Sequence, residues 1–181
     1  MTTPPNTPLP STEDHLDLLR EHLLGVFNYS LEQAKTLTAD VPCERFAELP
    51  HPGAKHPGWV LGHLAVASGI GAAYLRGDAE GGLCDVPAAW MASCMAEPTA
   101  ERSIYGTREQ LLGELSRVHA IYVEALNAAT PEIWKREYPN PDYRAFFPTL
   151  GAATFYFMAH HEQYHLGQLS TWRRAAGFPP A

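Results

Sequence analysis

Polar and apolar positions repeat with a helical period in four separate stretches of this chain, and no stretch alternates convincingly as a strand would. The first runs from about Thr12 to Ala39, with Leu16, Leu19, Leu23, Phe27 and Leu31 as its apolar stripe. Ser11 or Thr12 is placed to cap its start, and Pro42 lies beyond its end. The second starts near Pro57, a position where a first-turn proline forfeits no helical hydrogen bond, and stops at about Arg76-Gly77. The third opens on Thr107-Arg108-Glu109-Gln110, a Thr-x-x-Gln capping box, and carries Leu111, Leu115, Val118, Tyr122 and Leu126 to about Ala129. The fourth begins after Pro148-Thr149 and ends at Gly177, just ahead of Pro179-Pro180.

Four long amphipathic helices predict an all-α four-helix bundle. The connections are about 17, 30 and 19 residues long, where bundle helices usually turn in about 2 to 8. Such lengths permit crossovers between parallel neighbours and supply chain for a lid or a pocket wall. Pro87 to Ser93 reads as a short extra helix inside the middle connection. Residues 1–10 are rich in Pro and Thr and lack the basic-then-apolar order of a leader. They read as a flexible tail ahead of a bundle domain over 11–181.

Composition narrows the class. At 181 residues, 45% hydrophobic and 18% charged, the chain can bury a real core. Its net charge of −7, from 13 basic and 20 acidic residues, argues against a nucleic-acid partner. Cys43, Cys84 and Cys94 are odd in number and lack a Cys-x-x-Cys pair, so they read as inert thiols and point to a reducing cytoplasm. Gly58 to Leu75 carries no charge, but it is shorter than the roughly 20 residues a bilayer needs and contains His63. A buried helix fits it better than a membrane span. Gly69-Ile70-Gly71 lies inside that helix with no strand before it, so it is no dinucleotide loop.

The chemistry concentrates in the fourth helix. His161 and His165, four residues apart, fall on one side of it, on an apolar stripe shared with Thr154, Met158, Gln168 and Trp172. His160 and Glu162 fall on its flanks. Inward-facing imidazoles need a partner, either a metal ion or hydrogen bonds to Tyr or backbone. A catalytic metal site wants three protein ligands and an open position. His63, on the same face of the second helix as Trp59, Val60, Ala67 and Tyr74, is the natural third. If these two helices run antiparallel, the three rings meet in one layer of the bundle. Neutral imidazole suits zinc, nickel, iron or copper. Gln168 could orient a ligand or hold a histidine, Tyr164 could line a pocket, and Trp59 lies beside His63. The remaining histidines read as bystanders: His51 and His56 in a surface loop, His15, His22 and His119 on helix flanks. Trp90, Trp134 and Trp172 read as packing anchors, and Arg173 and Arg174 as cations facing a helix C-terminus.

The segments Trp59-Val60-Leu61-Gly62-His63-Leu64-Ala65 and His161-Glu162-Gln163-Tyr164-His165-Leu166-Gly167-Gln168-Leu169 carry a resemblance, as does the ending Arg173 to Pro180. On them the chain resembles the DinB-like (YfiT-like) metalloenzyme family over essentially its whole length. The resemblance implies a four-helix bundle of up-down-down-up topology and a divalent ion, such as Zn, Ni or Fe, on His63, His161 and His165. It also implies a possible homodimer and, as in some relatives, a thiol-dependent S-transferase or isomerase. The co-substrate would be a low-molecular-weight thiol such as bacillithiol, mycothiol or glutathione, acting on a small-molecule substrate. Two other functions stay open: a bundle that binds metal or a small ligand without turnover, and a metal-dependent hydrolase. A third alternative keeps the histidines only as relics in a dimerisation module.

Overall fold

The computed structural model describes residues 12–78 and 86–181. The N-terminal tail, the cap at Ser11 and Cys84 lie outside the described residues. Helix α1 spans Thr12–Thr38, α2 Pro57–Arg76, α3 Ala88–Cys94, α4 Arg108–Ala128 and α5 Pro131–Lys135. Helix α6, Leu150–Phe155, passes through a π-helical turn at Tyr156–His161 into α7, Glu162–Ala175. Short 3₁₀ turns at Cys43–Arg45, Arg102–Ile104 and Pro141–Tyr143 break up the long connections.

Local chemistry explains the boundaries. The capping box of α4 forms in full: Thr107 Oγ1 accepts from the Gln110 amide at 3.2 Å, and Gln110 Oε1 accepts from the Thr107 amide at 2.8 Å. Helix α2 has proline in its first turn and stops at Gly77, whose φ of 93° suits a residue without Cβ. Its N-cap is His56, which corrects the surface-loop assignment. The ring is fully enclosed, with Nδ1 accepting from the Trp59 amide at 3.1 Å and Nε2 donating to the Thr99 carbonyl at 3.0 Å.

Helix α2 forms the centre of the protein, packed against α3, α4 and α7, while α1 packs against α4 and α7. Among the described residues it is the one helix long and apolar enough to cross a membrane, and 83% of that apolar window is buried inside the protein. A helix apolar on all sides is what such burial requires. Gly62 lets α3 approach closely, because a Cβ there would fall on Cys94 Sγ. Among the described residues there is no strand, only a bridge between Glu137 and Thr149. That bridge, with the Leu150 amide donating to the Arg136 carbonyl at 2.8 Å, closes 137–149 into a lobe over the bundle.

Three further sequence expectations need correction. His119 is buried and stacks on Phe27, ring centroids 4.2 Å apart, instead of lying on an exposed flank. Glu162 is buried between α7 and α2, where it accepts a hydrogen bond from Ser68 Oγ. Arg173 is enclosed and donates to the Leu37 and Pro179 carbonyls and to both oxygens of Asp40, tying α7 to the end of α1. It is thus a tie between segments more than a cation facing its helix dipole. The hydrogen bond from Arg173 in turn holds the Asp40 carboxyl below its ordinary value. Arg174 is exposed, and Trp90, Trp134 and Trp172 are buried anchors.

Candidate metal centre

The structure brings His63 of α2 to within reach of His161, at the end of the π turn, and His165 of α7. His161 Nε2 lies 3.1 Å from His63 Nε2 and 3.2 Å from His165 Nε2. All three ligand atoms lie within 4.8 Å of one another. Separations of this size suit imidazoles sharing one ion at about 2.0–2.1 Å. The outer nitrogens fix the tautomers. His63 Nδ1 donates to the Cys94 carbonyl and His165 Nδ1 to Gln168 Oε1, each at 2.8 Å. Both rings therefore present a bare Nε2 lone pair to the centre. In the metal-free protein one proton on His161 Nε2 can bridge the two neighbours. His161 Nδ1 is buried without a hydrogen-bond partner.

Burial keeps these rings neutral, which is the ligating form. Loss of solvent pushes His161 down to about 3 and His165 down to about 4, and the neighbouring imidazoles add to both effects. His63 is lowered for the same first reason, against the raising effect of its bond to Cys94. Among the described residues no carboxylate joins the cluster. Glu162, next in sequence to His161, faces Ser68, and burial pushes its carboxyl up to about 8. Burial also pushes the Cys94 thiol up to about 11, so it stays protonated, and Cys43 and Cys94 are both free.

Trp59 lies flat against His63, with ring centroids 4.5 Å apart and planes 9° apart, and its Nε1 donates to the Ala96 carbonyl at 2.7 Å. It forms the back of the site. Gln168 holds His165 as described. Tyr164 is exposed, with its ring edge-on to His165 at 5.1 Å. It lines a hollow of about 320 Å³ with His51, Lys55 and Gln168, and not the larger cavity. His160 is exposed beside Tyr156.

The larger cavity, about 630 Å³, has His63 and His161 in its wall. This is ordinary for a small-molecule site. The connection before α6 supplies Tyr138, Asn140, Tyr143, Phe146 and Phe147 to it, so a long connection does become pocket wall. Two features of the site carry no residue-type signal: the Cys94 carbonyl, which is backbone, and the π turn that sets the phase of His161. Such turns recur at functional sites because one extra residue re-aims the side chains that follow. The aromatic density of 138–147 was a signal for the wall, visible as four rings within a loop.

Residues 12–169 match the DinB superfamily, a span that includes all three histidines. Neither the curated proteins nor the solved structures contain a match to the chain. The match covers most of the length and joins the histidines of α2 and α7 in one unit: the chain belongs to the DinB superfamily.

Proposed function

We propose that His63, His161 and His165 hold a divalent ion, Zn, Ni or Fe, and that the protein is an S-transferase or isomerase acting with a low-molecular-weight thiol. The observation that carries this is the convergence of three neutral Nε2 atoms, those of His63 and His161 belonging to rings in the wall of the 630 Å³ cavity. Held by three uncharged ligands, a divalent ion keeps its full charge and acidifies a thiol or water bound to it. The chain's own part is positional. Cys94 and Gln168 fix two ring orientations, Trp59 blocks the rear, and the cavity admits a small molecule from the front. The hydrolase alternative is less well supported, because no carboxylate among the described residues lines the cavity to serve as a general base. The up-down-down-up order fits the contacts, since α1 and α2 each pack on α4 and α7. A cytoplasmic setting fits the free cysteines.

The test uses protein purified without a histidine tag, assayed with bacillithiol, mycothiol and glutathione against 1-chloro-2,4-dinitrobenzene. Conjugation with one of these thiols should be lost on chelation and restored by adding the ion. If none of the three shows a metal-dependent rate, the transferase assignment fails.

A further inference from the structure

The wall of the 630 Å³ cavity has a composition that selects what can enter it. Among the described residues that line it, none is Asp, Glu, Lys or Arg. Its inner end is His63, His161 and Ala67, and its sides are rings. Tyr74 meets Tyr138 edge to face at 5.3 Å, Tyr138 meets Phe147 at 5.5 Å, and Phe147 meets Tyr156 at 4.9 Å and Phe157 at 5.7 Å. Linked rings of this kind form a preorganised wall for another aromatic face. At the mouth, Met95, Tyr143 and Phe146 expose large apolar surfaces, Phe146 to 77%. The lobe's one cation is engaged: Arg144 pairs with Glu137 at 3.3 Å and donates to the Tyr138 carbonyl. Burial pushes the Tyr138 phenol up to about 12, so the wall stays uncharged at neutral pH.

We propose that this cavity is a receptor for a neutral aromatic small molecule, its rings held by the Tyr and Phe wall and its polar edge turned to the His63–His161 face. The inference names the acceptor class for the proposed reaction and takes its catalytic meaning from that reading. Binding itself needs only the wall. In the chelated protein an anion would be stripped of water there with no cation among the described lining residues to receive it, which is costly.

The probe pair is N-phenyl-1-naphthylamine and 8-anilino-1-naphthalenesulfonate, which share one ring scaffold and differ by a sulfonate. Fluorescence titration of the full chain should show saturable binding of the neutral probe in both the metal-loaded and the chelated state, and in the chelated state at least about tenfold tighter than that of the sulfonate. Phe146→Asp, at an exposed rim position with no fold to disturb, should weaken the neutral probe about tenfold without changing metal content. Ala67→Phe should fill the inner end and abolish binding. Equal or tighter binding of the sulfonate to the chelated protein overturns the proposal, as does unchanged neutral-probe binding in Phe146→Asp. The metal assignment is judged separately: if it fails while this inference holds, the chelated protein still selects the neutral probe and no thiol conjugation responds to metal.

Discussion

His161→Ala removes divalent-ion binding, with affinity falling by at least about a hundredfold, while the protein stays folded. The His161 Nε2 lies within 3.2 Å of both other Nε2 atoms, so its loss leaves two ligand nitrogens where a catalytic site wants three. The ring gives up only its Nε2 contacts to His63 and His165, since His161 Nδ1 is buried without a partner. Losing that shared hydrogen bond costs about 1–2 kcal/mol, and the change borders an existing cavity, so the fold survives. Gln168→Leu is the graded companion. It deletes the acceptor that orients His165 but keeps all three ligands, so affinity drops about tenfold to a hundredfold. Calorimetric titration with the ion, beside a melting curve for each variant, separates loss of the site from loss of the fold. Full affinity in His161→Ala would remove that residue from the ligand set.

The second large effect is a metal-independent sensitivity to acid at His56. Its Nδ1 must be bare to accept from the Trp59 amide, and its Nε2 must carry the proton given to Thr99. Protonating Nδ1 turns the cap of α2 into two donors facing each other. Burial is the main cause that lowers this ring to about 4, with the Arg102 and Lys55 charges adding to it and the Thr99 carbonyl opposing. The unfolded chain takes up its proton near the ordinary value of 6.5, so it binds more protons than the fold between about 6.5 and 4. The stabilisation is therefore complete above that window and is lost as pH falls through it, by about 3 kcal/mol in total. His56→Asn can still cap the helix and cannot titrate, so its acid limb is flatter. Denaturant unfolding of chelated protein between pH 7 and 4 should show the wild type losing more stability than the variant. His161 and His165 titrate alike in both proteins and cancel in the difference. Parallel acid limbs would show that His56 is not held neutral.

Much of this architecture is legible in residue order because its signals are local. The Thr107–Gln110 box, Pro57 in a first turn and Gly77 after a last one each act within four residues, and the structure places them where the pattern does. The four long apolar stripes need only a count of 3.6 residues. What escapes is set by tertiary contact. His56 looked like a loop residue because nothing in Pro52-Gly53-Ala54-Lys55 announces that Thr99 and Tyr105 close over it. His119 and Glu162 looked like flank positions because a polar side chain is normally solvated, and here Phe27 and Ser68 receive them instead. At the candidate site, the i, i+4 pair and a third inward histidine were readable from spacing. The Cys94 carbonyl that orients His63 was not, since any residue offers one.

The central claim is that His63, His161 and His165 share one divalent ion, and X-ray absorption spectroscopy of the tag-free protein, loaded with one equivalent of zinc, tests it most directly. The account predicts three nitrogen neighbours at about 2.0–2.1 Å with the outer-shell scattering of imidazole rings, and fewer such rings in His161→Ala. A spectrum of oxygen ligands alone, or one identical in the wild type and the variant, would contradict it.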